Sequence, residues 1–166
     1  MNKTVKVLIF DWGDTVMRDY DLPGSMADWP EVALIDGAEE ALVKLSAKYC
    51  CAIATSADHS DVHAMRSALR RVDVEKHFNY FFASADLGYK KPDPRFFEAV
   101  AQALETKPSA CAMIGNSYEK DIVGAKKAGM ITILLDEKQA CANAADADFV
   151  IANMFDLIKL LDSDEE

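Results

Sequence analysis

The sequence predicts an α/β fold, a doubly wound and mostly parallel sheet in a single domain. Three observations predict it. Apolar runs of 4 to 6 residues recur along the chain, near-continuous rather than alternating, as in strands buried on both faces. Stretches with helical spacing separate these runs, and alternation of strand and helix argues for parallel crossovers. The first run ends abruptly on a carboxylate, Asp11, followed by a turn, and the carboxyl ends of strands are where open α/β sheets place their chemistry.

The strands are expected at Val5–Phe10, Cys51–Ala54, Tyr80–Ala83, Cys111–Ile114 and Ile131–Leu135, with a weaker one at Phe149–Ala152. Asp36-Gly-Ala-Glu39 reads as a capping-box start for a helix carrying Ala38, Ala41, Leu42 and Leu45. Val62, Met65, Leu69 and Val72 mark a second helix. Asp93 caps a third, with Pro94 at its first position and Phe96, Phe97, Val100, Ala101 and Leu104 along one side. Ser117 opens a fourth helix through Ile122, Ala125 and Ala128, and Gly129 stops it. Met154, Leu157, Ile158 and Leu161 form the last. Residues 1–162 are read as the domain, with 17–34 as a loop or flap interrupted by Pro23, Gly24 and Pro30, and 163–166 as an acidic tail.

A length of 166 residues fits one domain with a substantial core. The formal net charge is −10, which argues against non-specific nucleic-acid binding, since that needs a basic footprint. The four cysteines form no C-x-x-C pair and read as reduced core residues of a cytoplasmic protein. No run is long enough for a membrane span or a signal peptide.

Four groups follow apolar runs in order: Asp11-Trp-Gly-Asp-Thr15, Thr55, Gly88-Tyr-Lys-Lys91-Pro-Asp-Pro94 and Gly115-Asn-Ser-Tyr-Glu-Lys-Asp121. In order and spacing they resemble the motifs of the haloacid dehalogenase-like (HAD) hydrolase superfamily, over almost the whole chain. The resemblance implies a Rossmann-like core and a hydrolase, most simply a phosphatase. Asp11 would attack phosphorus and form an aspartyl-phosphate, dividing the reaction into two easier steps. Mg²⁺ would screen the repulsion between carboxylate and phosphate, held by Asp11, the Gly13 carbonyl, and Asn116 or Asp121. Lys91, the Thr55 hydroxyl and backbone N–H groups near Ser56 would hold phosphoryl oxygens. The implied partner is a phosphorylated small molecule or an exposed phosphate on a larger substrate.

Two positions depart from the pattern. Gly13 stands where the family's phosphatases carry an acid–base Asp, and such a group contributes about 10²- to 10⁴-fold in rate. The neighbouring Asp14 is expected to point elsewhere, because adjacent side chains diverge, and Gly13→Asp is expected to raise turnover. Asn116 replaces a usual Asp, keeping an oxygen but losing a charge. The chain has no room for a large cap domain, and uncapped relatives often form homo-oligomers or act on macromolecules. The rival readings are a degenerate member that binds phosphate or a partner without turnover, a receiver-type signalling domain, and a dehalogenase. Arg66, Arg70 and Arg71 read as a solvated helix face. His59, just past Thr55, is a minority candidate for substrate contact, and Trp12 either packs in the core or walls the site.

Overall fold

The computed structural model describes residues 5–162; the acidic tail lies outside them. Six strands form one sheet in the order β3-β2-β1-β4-β5-β6: β1 (Val7–Phe10), β2 (Cys50–Thr55), β3 (Tyr80–Ala83), β4 (Cys111–Gly115), β5 (Ile131–Leu135) and β6 (Phe149–Ile151). Every neighbouring pair is parallel. β1 lies inside the sheet, with Phe10 level with Ile53 of β2 and Ile114 of β4. The strand order reverses beside β1, which opens a crevice at the carboxyl ends of β1, β2 and β4.

The near-continuous apolar runs have a simple cause. Successive side chains of β1 enter different cores, Leu8 and Phe10 on one face and Val7 and Ile9 on the other. The first face is covered by α1 (Ala38–Leu45), α2 (Val62–Arg71) and α6 (Met154–Asp162), the second by α4 (Pro94–Ala103) and α5 (Gly124–Lys127). Burying a Leu or Phe in either layer contributes roughly 1.5–3 kcal/mol. Cys51 and Cys111 are fully buried, and burial pushes their thiols up to about 12 and about 11. Cys50 and Cys141 are only half-buried, so the reading of four core cysteines holds for two.

Several local expectations change. The capping box at Asp36 does not form: Gly37, at φ 77°, occupies the cap position and no side chain bonds there. A Cβ on Gly37 would stand 2.8 Å from the Phe155 ring, so α6 packs against the turn itself. Asp93 caps α4 as expected, accepting from Arg95 N, and Asp61, not singled out from the sequence, caps α2 by accepting from Ala64 N. A single-turn α3 (Ser84–Leu87) was not legible, because four residues carry no helical period. The helix expected after Ser117 begins as a wide π-turn over Tyr118–Val123 and only then becomes α5. Ser117 caps it by accepting from Lys120 N at 3.2 Å, and Gly129, at φ 90°, ends α5. Gly124 lets this element approach the preceding loop, since a Cβ there would meet the Pro92 carbonyl at 2.2 Å.

The segment 17–34 both packs and covers. Met26 and Trp29 are buried in the core, while Tyr20 and Leu22 are exposed. Of the three arginines on α2, Arg66 and Arg70 pair with Glu75 at the surface. Arg71 is exposed, as expected, but not idle: its guanidinium donates to the carbonyls of Met26, Ala27, Trp29 and Pro30 at 3.4, 3.0, 2.7 and 3.3 Å. The reason is geometric, because Arg71 ends α2 beside a loop whose carbonyls have no strand partner. Among the described residues no helix is long and apolar enough to cross a membrane.

Candidate active site

Asp11 directly follows β1, and its N–H extends the ladder to Ile114 O at 2.9 Å. The sheet therefore fixes its backbone. Its side chain is held from both sides: Lys91 Nζ lies 2.8 Å from Oδ1, and the Thr15 hydroxyl lies 3.2 Å from Oδ2. Lys91 also reaches Asp121 Oδ1 at 2.9 Å. The Lys91 and Asp121 side chains are each 2% exposed and Asp11 is 15% exposed, so Asp11 is the most accessible member of this triad.

One ammonium is thus shared between two carboxylates. Burial alone would lower the Lys91 ammonium, but Asp11 and Asp121 outweigh it and hold its pKa above the ordinary value. Burial, and then the charge of Asp11, pushes Asp121 up to about 6. The two shifts agree physically: the triad carries one negative charge too many, and the deeper carboxylate bears the cost. The second oxygen of Asp121 accepts from Ser117 N at 3.0 Å. Gly115 makes room for it, since a Cβ there would stand 2.3 Å from Asp121 Oδ2.

Thr55 ends β2, and its hydroxyl accepts from Ala57 N at 3.0 Å, which leaves its own proton to donate. Ser56 Oγ accepts from Lys91 N at 3.0 Å and so positions the lysine's main chain. Asn116 follows β4. In one orientation its amide oxygen accepts from Thr15 Oγ1 at 3.3 Å. In the other its nitrogen donates to Gly13 O at 3.2 Å and to Asp11 Oδ2 at 3.1 Å. Two oxygens therefore converge on the Asn116 amide, and turning its oxygen toward them makes three. Among the described residues no three His, Cys, Asp or Glu side chains form a metal-holding group. The donors that do converge, a carboxylate, a main-chain carbonyl and an amide, are hard oxygens that fit Mg²⁺ completed by water and phosphate.

All the residues named from the sequence, Asp11, Gly13, Thr55, Ser56, Lys91, Asn116 and Asp121, line one cavity of about 520 Å³. His59 lines it too, from an exposed loop position. Trp12 fills both of its expected roles: it is buried, donates from Nε1 to Met17 Sδ at 3.2 Å, and borders the cavity. Asp14, expected to point elsewhere, lines the cavity instead, because its Oδ1 accepts from Asp19 N at 3.0 Å on the cavity side of the turn. Asp19 was not singled out from the sequence. It belongs to no motif, and the only signal was a carboxylate in the segment that follows the first motif. Met26 and Trp29 complete the cavity from that segment, which Ser25 fastens to the opposite loop by a 2.9 Å hydroxyl contact with Ser60.

Residues 12–129 match the haloacid dehalogenase-like hydrolase family. A glyceraldehyde 3-phosphate phosphatase of Methanothermobacter thermautotrophicus is 33% identical over 89 residues, covering 54% of this chain and 38% of the relative. Its counterpart in Pyrococcus furiosus is 28% identical over 133 residues, covering 77% of this chain and 54% of the relative. The chain thus spans only about half, or less, of the length of these curated relatives. A crystal structure of an uncharacterized protein from Listeria monocytogenes serotype 4b superposes with a TM-score of 0.82 at 26% identity, covering 95% of this chain and 97% of that one.

Proposed function

Since the chain belongs to the haloacid dehalogenase-like hydrolase family, we propose that it hydrolyses phosphate monoesters through an aspartyl-phosphate on Asp11. The observation that carries this reading is the Asp11 side chain itself. It stands at a strand end with Oδ1 fixed by Lys91 at 2.8 Å, and it is the most exposed triad member in the cavity. A carboxylate so held is oriented before substrate arrives, and orientation is a large share of what a nucleophile needs. The relatives named as glyceraldehyde 3-phosphate phosphatases support the phosphate-ester class.

Asp11 attacks phosphorus, and the ester oxygen leaves with its electron pair. Lys91 offsets charge on the nucleophile and on the phosphoryl group, and the Thr55 hydroxyl donates to a phosphoryl oxygen. Mg²⁺, when bound, screens the charge between the carboxylate and the phosphate. Asp11, the Gly13 carbonyl and Asn116 would hold it. Asp121 serves better through Lys91, because Lys91 and Ser117 N already engage its two oxygens. The substrate is a phosphorylated small molecule or an exposed phosphate on a larger one.

Rapid mixing with p-nitrophenyl phosphate and Mg²⁺ tests the reading. A burst of about one equivalent of p-nitrophenol that is absent in Asp11→Asn is the expected result. No burst and no turnover in the unaltered protein would refute it and favour a phosphate-binding member without catalysis.

A further inference from the structure

Attack by Asp11 leaves two proton movements unassigned. The departing ester oxygen needs a proton, and the water that later attacks phosphorus must lose one. In the turn after β1 the second residue after Asp11 is Gly13, which has no carboxyl group. Asp121 is bonded to Lys91 and to Ser117 N, and Asp58 is ion-paired with Lys90. Asp14, like Asp19, accepts a single main-chain N–H, so position rather than engagement separates these two.

Asp19 differs. Its Oδ1 accepts from Asp21 N at 2.8 Å, which orients the group. Its Oδ2 faces Gly13. A Cβ on Gly13 would have as its three nearest atoms, outside its chain neighbours, Asp19 Oδ2 at 3.4 Å, Cβ at 3.6 Å and Cγ at 3.8 Å. The carboxyl group of residue 19 therefore lies in ordinary contact with the place where a side chain of residue 13 would start, and both residues line the same cavity as Asp11. The chain is folded to hold it there. Asp14, at φ 56°, reverses direction; its N–H donates to Met17 O at 2.7 Å, and its side chain catches Asp19 N. Asp and Asn are among the few residues that accept this left-handed turn readily.

We propose that Asp19 is the general acid and base of the reaction, supplying from the flap the carboxyl group that Gly13 lacks. The proposal rests on the phosphate-ester reading above. In the first step the Asp11 carboxylate forms a bond to phosphorus and the P–O ester bond breaks. The leaving oxygen keeps the electron pair and takes the proton of the Asp19 carboxyl. In the second step Asp19, now a carboxylate, takes a proton from water as the water oxygen bonds to phosphorus. The bond from phosphorus to Asp11 breaks, its electron pair returns to the Asp11 carboxylate, phosphate departs, and Asp19 is again protonated. The arrangement also revises the expectation for Gly13→Asp. That single change brings a second carboxyl group against Asp19 and gives no gain, whereas with Asp19 removed the same change restores the missing group.

The test compares the unaltered protein, Asp19→Asn and Gly13→Asp/Asp19→Asn in Mg²⁺, with p-nitrophenyl phosphate and phenyl phosphate. Phenol, with a pKa of about 10 like tyrosine, needs a proton to leave far more than p-nitrophenol does. Asp19→Asn should lower turnover of phenyl phosphate about 10²- to 10⁴-fold. It should leave the p-nitrophenyl phosphate burst within a few-fold while slowing the steady state that follows. The double variant should recover most of the lost phenyl phosphate turnover. Asp19 is exposed, so an unchanged melting temperature is expected and confirms that the loss is chemical. If Asp19→Asn matches the unaltered protein on phenyl phosphate, or slows both leaving groups equally, the role of Asp19 is overturned while that of Asp11 stands. If the unaltered protein shows neither burst nor turnover, both readings fall together.

Discussion

Replacing Lys91 by Met removes the one cation between two carboxylates while keeping the volume of the stem. The ammonium lies 2.8 Å from Asp11 and 2.9 Å from Asp121, with its side chain 2% exposed. At an effective dielectric of about 20, each contact at this range is worth about 6 kcal/mol before desolvation, and desolvation offsets several kcal/mol per ion. Breaking a buried pair by removing one partner costs about 3–5 kcal/mol, because an unpaired charge stays behind. For a chain of this size each kcal/mol lowers the melting temperature by about 2–4 °C, so Lys91→Met should melt roughly 6–20 °C lower at neutral pH. The loss should depend on pH with a definite sign. Asp121 is already pushed up to about 6 in the folded protein, above its value of about 3.9 in the unfolded chain. The folded state thus holds that proton more tightly, and stability contributed by this group falls as pH rises from about 4 to about 6. Without Lys91, which holds it down, the Asp121 carboxyl rises further. The variant should therefore approach the unaltered protein near pH 5 and fall furthest behind near pH 8. Thermal unfolding in a chelator at both values reads this directly. Equal stability of the two proteins at pH 8 would refute the shared-ammonium account of the site.

Two further outcomes follow from packing. Gly115→Ala places a Cβ 2.3 Å from Asp121 Oδ2; it should destabilise by about 1–3 kcal/mol and weaken Mg²⁺ binding, read by urea unfolding and by calorimetry with the metal alone. Arg71→Met removes the donor to four loop carbonyls. It should cost roughly 1–3 kcal/mol and speed amide exchange across residues 26–30, and unchanged exchange there would show that the loop holds itself.

How much was legible depended on how locally each feature is encoded. The strands were, because burial on both faces forces every residue of Val7–Phe10 to be apolar, whichever core it enters. The lining of the site was, because Asp11, Thr55 and Asn116 sit at or next to strand ends, and the sheet alone brings strand ends together. The capping box at Asp36 failed because the packing of Phe155 onto Gly37 set that turn, a contact between elements far apart in sequence. The π-turn was equally hidden, since it keeps the spacing of the buried residues roughly helical. The bonds of Arg71 and the place of Asp19 were missed for one reason: each is defined by where the flap lies, and the path of the flap is decided by its bonds to α2 and to the turn after β1.

That flap is fastened on either side of its exposed span, by Met17 bridging to Gly13 and Leu34 and by Ser25 on Ser60 with Arg71 gripping residues 26–30. Between the fastenings runs a span, residues 19–24, that is exposed throughout and lends Asp19, Asp21, Leu22 and Gly24 to the mouth of the cavity. The entrance to the cavity can therefore change independently of folding. Exchanging residues 20–24 would redraw it while the sheet, the triad and the fastenings on either side stayed as they are.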